Sequence, residues 1–240
     1  MTTAEPRSLA ASIRRRQAEG VMPVISEIKV RSPREGDLLR GRAPEGLAVV
    51  MATTPIAGLS VVTELIHFGG DLDIVDRVRP LVPVPILRKD FIRTEADLDE
   101  TVAAGADAIL LTVCLFDDEP LARLLAAARE RGLETLVEVH DDKDVARVVD
   151  LGLRPDVLGV NNRDIQIGET DDGDVSITER LAPALPPGAL LLSESSIRGA
   201  DDARRARAAG ADAVLVGTSI LQAPDLAEAI RALVSVGWPG

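Results

Sequence analysis

Several residue types are scarce in this 240-residue chain, and each scarcity excludes something. There is one cysteine, Cys114, inside the apolar stretch AILLTVCLF, so no internal disulfide can form and the thiol reads as a buried core side chain. Redox chemistry is not indicated. The two histidines, His67 and His140, have no partner spacing that resembles a metal-ligand set, so no metal is expected. No GxSxG elbow and no Walker loop is present. No apolar run reaches the ~18 residues that span a bilayer. The first twenty residues are polar and Arg-rich, without the apolar centre of a signal peptide, so a cytoplasmic protein with no membrane partner is expected. Basic residues are outnumbered by acidic ones, 27 to 39, and a formal charge of −12 repels an extended polyanion, which excludes nucleic acid as a partner.

Lysine is the most informative scarcity. Only Lys29, Lys89 and Lys143 appear among the 27 basic residues; arginine fills every other basic position. A lysine kept in such a background points to a need for a compact ammonium whose pKa burial can lower, which a guanidinium cannot supply.

What is abundant is short runs of Val, Ile and Leu alternating with stretches of helical period. Strands are predicted at 23–29, 58–64, 84–90, 107–113, 135–140, 156–162, 189–195 and 212–218, separated by amphipathic helices such as EADLDETVAAG and EPLARLLAAARERG. Continuously apolar strands between helices are parallel and buried on both faces. Eight such units in this length predict one α/β domain over 1–240, a (β/α)8 TIM barrel, with residues 1–22 as a short extra helix at its bottom or flanking its mouth. A doubly wound sheet is the competitor, but no glycine-rich dinucleotide fingerprint follows the first strand. AAGADAILL at 103–111 recurs as AAGADAVLV at 208–216, an offset of 105 residues (208 minus 103), which matches four barrel units. The acidic segment 166–176 has no apolar anchors and is expected to be mobile.

Polar residues at the carboxyl ends of barrel strands carry the functional information. Glu27 and Lys29 share a face of strand one, Lys89 ends strand three, Glu138 is near the end of strand five, and Glu194 ends strand seven. All lie on odd-numbered strands, and alternate strands feed the same barrel layer, so they can meet in one ring. A mere plug of ion pairs is the duller reading, but burying an unpaired ion costs several kcal/mol, and five such positions favour function. Lys143, in a helix start, reads as an ordinary solvated residue. LSESSI (192–197) and LVGTSI (215–220) place small residues and hydroxyls where this fold often binds phosphate, or simply make two tight turns. Strand six ends in Asn161, Asn162 and Arg163, groups suited to hydroxyl and carboxylate oxygens or to capping the strand.

Taken in order, SEIKVRSP (26–33), LSVVTE (59–64), HFGG (67–70), LRKDFI (87–92), LVEVH (136–140), GVNNRD (159–164), SES (193–195) and LVGTSIL (215–221) make the chain resemble the indole-3-glycerol phosphate synthase family from about Pro23 to Leu233. The resemblance implies a cofactor-free carboxy-lyase of tryptophan biosynthesis that closes 1-(2-carboxyphenylamino)-1-deoxyribulose 5-phosphate to indole-3-glycerol phosphate, releasing carbon dioxide and water. It places Glu27, Lys29, Lys89, Glu138, Asn161 and Glu194 at family active-site positions. Ser195, Gly217 and Thr218 match the phosphate site and Arg163 the family's arginine after strand six. Ser32, Ser196, Phe68 and Phe91 complete the expected substrate contacts, the two phenylalanines facing the arene. Lys89 is the expected acid for ring closure, Glu138 the base and Lys29 the second acid, with Glu27 holding Lys29, and Asn161 and Glu194 binding substrate oxygens. Three departures bear on affinity and substrate identity: Ser196 stands where glycine is usual, Val30 where a basic residue is common, and the amino-terminal segment is short and without aromatics. The rival readings are a diverged paralogue acting on another aminodeoxyketose phosphate and a non-catalytic barrel that binds a phosphorylated metabolite. A monomer or weak homo-oligomer with a small phosphorylated substrate as its partner is expected.

Overall fold

The computed structural model describes residues 7–163, 165 and 171–239, so residues 166–170 of the segment 166–176 lie outside the described residues. Eight parallel strands close into a barrel: β1 (Val24–Ile28), β2 (Gly58–Val62), β3 (Ile86–Lys89), β4 (Ala108–Thr112), β5 (Glu134–Val139), β6 (Val157–Asn161), β7 (Leu191–Glu194) and β8 (Ala213–Val216), with β8 pairing back onto β1. Each falls within two residues of its predicted segment at either end. Around them run α2 (Pro44–Ala52), α3 (Asp73–Val78), α4 (Glu95–Ala103), α5 (Asp118–Glu130), α6 (Asp142–Asp150), α7 (Ser176–Leu181), α8 (Ala200–Ala208) and α10 (Leu226–Val234), with a short α9 (Thr218–Gln222) directly after β8. A two-stranded ribbon, Arg31–Ser32 against Gly36–Asp37, follows β1.

Strand alternation turns this closure into layers. Ile25, Leu87, Leu136 and Leu192, all on odd strands, share the lower interior cluster. Two residues further along the same strands come Glu27, Lys89, Glu138 and Glu194, so the inward row changes from aliphatic to charged as it reaches the carboxyl end. The register sets their neighbours: Glu27 lies beside Ser60, Glu138 beside Gly159, and Glu194 beside Leu215.

The extra helix α1 (Leu9–Ala18) closes the opposite end. Leu9 and Ile13 are fully buried in the lower cluster with Ala57, Ala108, Val157, Leu190 and Ala213, residues at or just before strand starts. Ser8 caps the helix by accepting the Ala11 amide, and its hydroxyl donates to Glu134 at the start of β5. Of the two positions open to it in the sequence, bottom and mouth, α1 therefore takes the bottom, which leaves the carboxyl face for ligands.

The internal echo has a structural cause. Asp107, before β4, accepts the Ile86 amide, and Asp212, before β8, accepts the Leu191 amide. Asp156, before β6, accepts the Thr135 amide in the same way. Each aspartate ties the start of an even strand to the first residues of the odd strand before it, satisfying a donor the ladder leaves over.

Candidate active site

The charged row does meet in one ring. Lys89 Nζ stands 2.5 Å from Glu194 Oε2 and 3.3 Å from Glu138 Oε2. Lys29 Nζ pairs with Glu27 Oε1 at 3.1 Å, and Ser60 Oγ reaches the other oxygen of Glu27 at 3.4 Å. Glu138 is held from two further sides: Asn161 Nδ2 donates to Oε2 at 3.1 Å and Thr112 Oγ1 to Oε1 at 3.2 Å. Both lysine tips keep an edge toward the cavity, at 13% and 8% side-chain exposure for Lys89 and Lys29, whereas Glu194 has none. That difference separates groups that can touch a ligand from groups that act through them.

The two carboxyls that share Lys89 are not equivalent. Burial pushes the Glu194 carboxyl up, the charge of Glu138 adds to the push, and the Lys89 ammonium opposes it without winning. Burial also opposes the charge of Glu138, but Lys89 and then His140 outweigh it and hold that carboxyl below its ordinary value. Glu138 is therefore the ionised, proton-accepting member and Glu194 the member that retains a proton. The stability consequences have opposite signs. Glu138 contributes stability above its ordinary pKa and loses it as pH falls through the lowered value, while the contribution of Glu194 is complete below its ordinary pKa and is lost as pH rises through the raised one. Glu194→Gln accordingly shrinks the fall in Tm between about pH 6 and about pH 9, read by thermal denaturation. An equal fall in wild type and variant would contradict a protonated Glu194.

Two lobes open from the ring, and Lys29 and Lys89 line both. The larger, about 230 Å³, is polar: Arg34 and Arg163 approach it from the loops, and Ser195, Ser196, Gly217 and Thr218 form its floor. Ser195 and Ser196 both have positive φ, 63° and 57°, the conformation glycine adopts without strain. The Ser196 hydroxyl accepts from Arg163 Nε at 3.2 Å, so the side chain at this unusual position is used. Gly217 is required by close approach, because a Cβ there would lie 2.6 Å from Glu27 Oε1. The smaller lobe is walled by Phe68, Phe91, Val62, Leu110 and Ile165, with Glu138 and Lys89 at its inner end. Lys29 Nζ lies 5.7 Å from the centre of the Phe68 ring.

Among the expected site residues, Glu27, Lys29, Lys89 and Glu138 join the lobes, as do Phe68, Phe91, Arg163, Ser195, Ser196, Gly217 and Thr218. Three stand elsewhere. Ser32 is buried, its hydroxyl accepts the Glu35 amide in the ribbon turn, and it lines neither lobe. Asn161 and Glu194 are fully buried beneath the ring, contacting Glu138 and Lys89 instead of the open space expected for groups that bind substrate oxygens. Val30 also lies off the cavity, packed on the outer core, with its carbonyl accepting Leu38 and Leu39.

Gly159 and Glu64 were not singled out in the sequence. Gly159 makes room for Glu194, since a Cβ would sit 2.4 Å from its Oε1. Glu64 accepts the amides of Ile66, His67 and Phe68 and so fixes the aromatic wall; the signal was a lone charge ending the apolar run LSVVTE. Asn162 ties β6 to β7 by donating to Ser193 Oγ and to the carbonyls of Glu194 and Ser195. Cys114, expected in the core, is only half-buried and lies beside His140.

The family model described as "Indole-3-glycerol phosphate synthase" matches residues 1–233. The chain belongs to the indole-3-glycerol phosphate synthase family. It is 40% identical over 215 residues to the indole-3-glycerol phosphate synthase of Thermococcus kodakarensis, covering 89% of this chain and 92% of the relative. It is 42% identical over 222 residues to that of Halobacterium salinarum, covering 92% and 84%. At the level of fold alone it is similar to 3-hexulose-6-phosphate synthase from Salmonella typhimurium (TM-score 0.68, 19% identity, 90% of this chain and 98% of that one). It is likewise similar in fold to orotidine 5'-phosphate decarboxylase from Pyrococcus horikoshii (TM-score 0.61, 16% identity, 88% and 96%).

Proposed function

We propose that this chain closes 1-(2-carboxyphenylamino)-1-deoxyribulose 5-phosphate to indole-3-glycerol phosphate, carbon dioxide and water, with the substrate laid across the ring between the two lobes. The observation that carries this reading is the position of Lys89, shared by both lobes and flanked by Glu138 and Glu194. The phosphate enters the polar lobe, where Arg163 and the small residues of 195–196 and 217–218 allow close approach of an oxyanion. The aryl ring enters the lobe walled by Phe68 and Phe91. Anchoring at both ends brings the arene carbon that bears the carboxylate against the ketone carbon.

Lys89 donates a proton to the ketone oxygen as that carbon–carbon bond forms. The ionised Glu138 carboxylate stands 3.3 Å from the donating Nζ. Loss of carbon dioxide returns the bonding electrons to the ring and restores aromaticity. Lys29 then protonates the departing hydroxyl while Glu138 takes a proton from the adjacent methylene carbon, which forms the indole double bond and releases water. Glu27 positions Lys29, and Glu194 and Asn161 position Lys89 and Glu138.

Among the described residues no helix is long and apolar enough to cross a membrane. A cytoplasmic location and a monomer or weak homo-oligomer belong to the same reading, as does the absence of nucleic-acid and membrane partners. Supplying purified protein with the carboxyphenylamino-deoxyribulose phosphate should give indole fluorescence together with stoichiometric carbon dioxide. Silence at saturating substrate from folded protein would overturn the reading.

A further inference from the structure

Behind the polar ring, the fold gathers a second set of titratable groups that the chemistry above does not use. Cys114 lies in the turn after β4, His140 directly follows β5, and Asp144 sits in the first turn of α6, so three elements contribute a thiol, an imidazole and a carboxylate. Cys114 Sγ is 4.0 Å from His140 Nδ1, Asp144 Oδ2 is 3.6 Å from the same nitrogen, and the three atoms all lie within 4.8 Å of one another. The other ring nitrogen, Nε2, faces away from this cluster and stands 3.4 Å from Glu138 Oε1. His140 and Asp144 are four residues apart, and Cys114, 26 residues before His140, joins them only when β4 and β5 pack together.

We propose that Cys114 Sγ, His140 Nδ1 and Asp144 Oδ2 form a binding site for a divalent ion of the zinc class, seated behind the general base. The donor set is the first reason. One sulfur, one imidazole nitrogen and one carboxylate oxygen with a fourth position open is a zinc-type set, and bonds of about 2.0–2.3 Å are reached from the present separations by small side-chain rotations. The second reason is the far nitrogen. A metal-bound histidine characteristically donates its remaining N–H to a carboxylate that fixes the ring; among the described residues Nε2 is buried without a hydrogen bond, and Glu138 Oε1 at 3.4 Å is the acceptor a small ring rotation would reach.

Binding releases the Nδ1 proton and the thiol proton, so it strengthens as pH rises. Two protons leave as one divalent ion enters, so the net charge of the cluster is unchanged.

The purified full chain titrated with Co2+ should develop a thiolate-to-cobalt charge-transfer band that saturates at one ion per chain and disappears when Zn2+ is added. Because Cys114 is the only cysteine, the band has one possible source. Cys114→Ala should lose the band while keeping the wild-type Tm and metal-free turnover, and Asp144→Asn should bind Co2+ about tenfold more weakly or worse. Absence of a thiolate band at saturating Co2+, or its persistence in Cys114→Ala, would overturn the site. The cobalt spectrum does not depend on the role proposed for Glu138, so a failure of the metal site and a failure of the proposed reaction are distinguishable.

Discussion

Lys89→Ala lowers kcat by about 10²–10⁴-fold, the range typical of losing a positioned general acid. The expected change in KM is small, because the phosphate and aryl anchors lie in the separate lobes and neither is Lys89 itself. Removing the ammonium also leaves Glu138 and Glu194 facing each other without the charge that lies 3.3 Å and 2.5 Å from them, so Glu138 gives up part of its acidity. Lys89→Met fills the same space with no proton to donate and separates chemistry from packing: it should be as slow as the alanine variant while keeping a Tm close to wild type. Steady-state kinetics with indole fluorescence reads both. A kcat within tenfold of wild type in Lys89→Met would remove Lys89 from the acid role.

Glu138→Gln should also cost about 10²–10⁴-fold in indole formation, but at a later step. The amide carbonyl can still accept from Asn161 and the amide NH2 donates to the Thr112 hydroxyl, so the ring's shape is retained, while the carboxylate that removes the methylene proton is gone. Ring closure and decarboxylation precede that proton transfer. A single turnover should therefore release carbon dioxide at a rate much closer to wild type than the rate at which indole fluorescence appears. If both signals slow by the same factor, Glu138 acts before decarboxylation and the assignment of base fails.

The barrel was legible because a parallel strand buried on both faces has to be continuously apolar, and eight such runs stand out against amphipathic helices. The ring was legible for a related reason. A charged residue inside such a run has no solvent-facing side to occupy, so Glu27, Lys89, Glu138 and Glu194 could be assigned inward positions from strand parity alone. Parity fixes direction but not depth, which is why Glu194 and Asn161 were expected to touch substrate and are found beneath the residues that line the lobes. The Gly-Ala-Asp-Ala echo located strands four and eight correctly, although its cause is the aspartate tying neighbouring strand starts together. Gly159 was silent because its function is the space it leaves for Glu194 on the next strand. Cys114 was silent as a partner of His140 because strand packing, not spacing along the chain, brings them together, whereas Asp144 stands only four residues after His140.

Everything proposed for the reaction depends on one placement: a ketone oxygen within reach of Lys89 while the phosphate and the aryl ring occupy different lobes. The most direct measurement is a crystal structure of the protein with the substrate analogue in which the ketone is reduced to an alcohol, so that closure is blocked. The account predicts that the new hydroxyl lies within about 3.2 Å of Lys89 Nζ, hydrogen-bond reach for a positioned acid. The phosphate should rest against 195–196 and 217–218, and the aryl ring between Phe68 and Phe91. An analogue bound with its phosphate among the phenylalanines, or with its hydroxyl out of reach of Lys89, would contradict it.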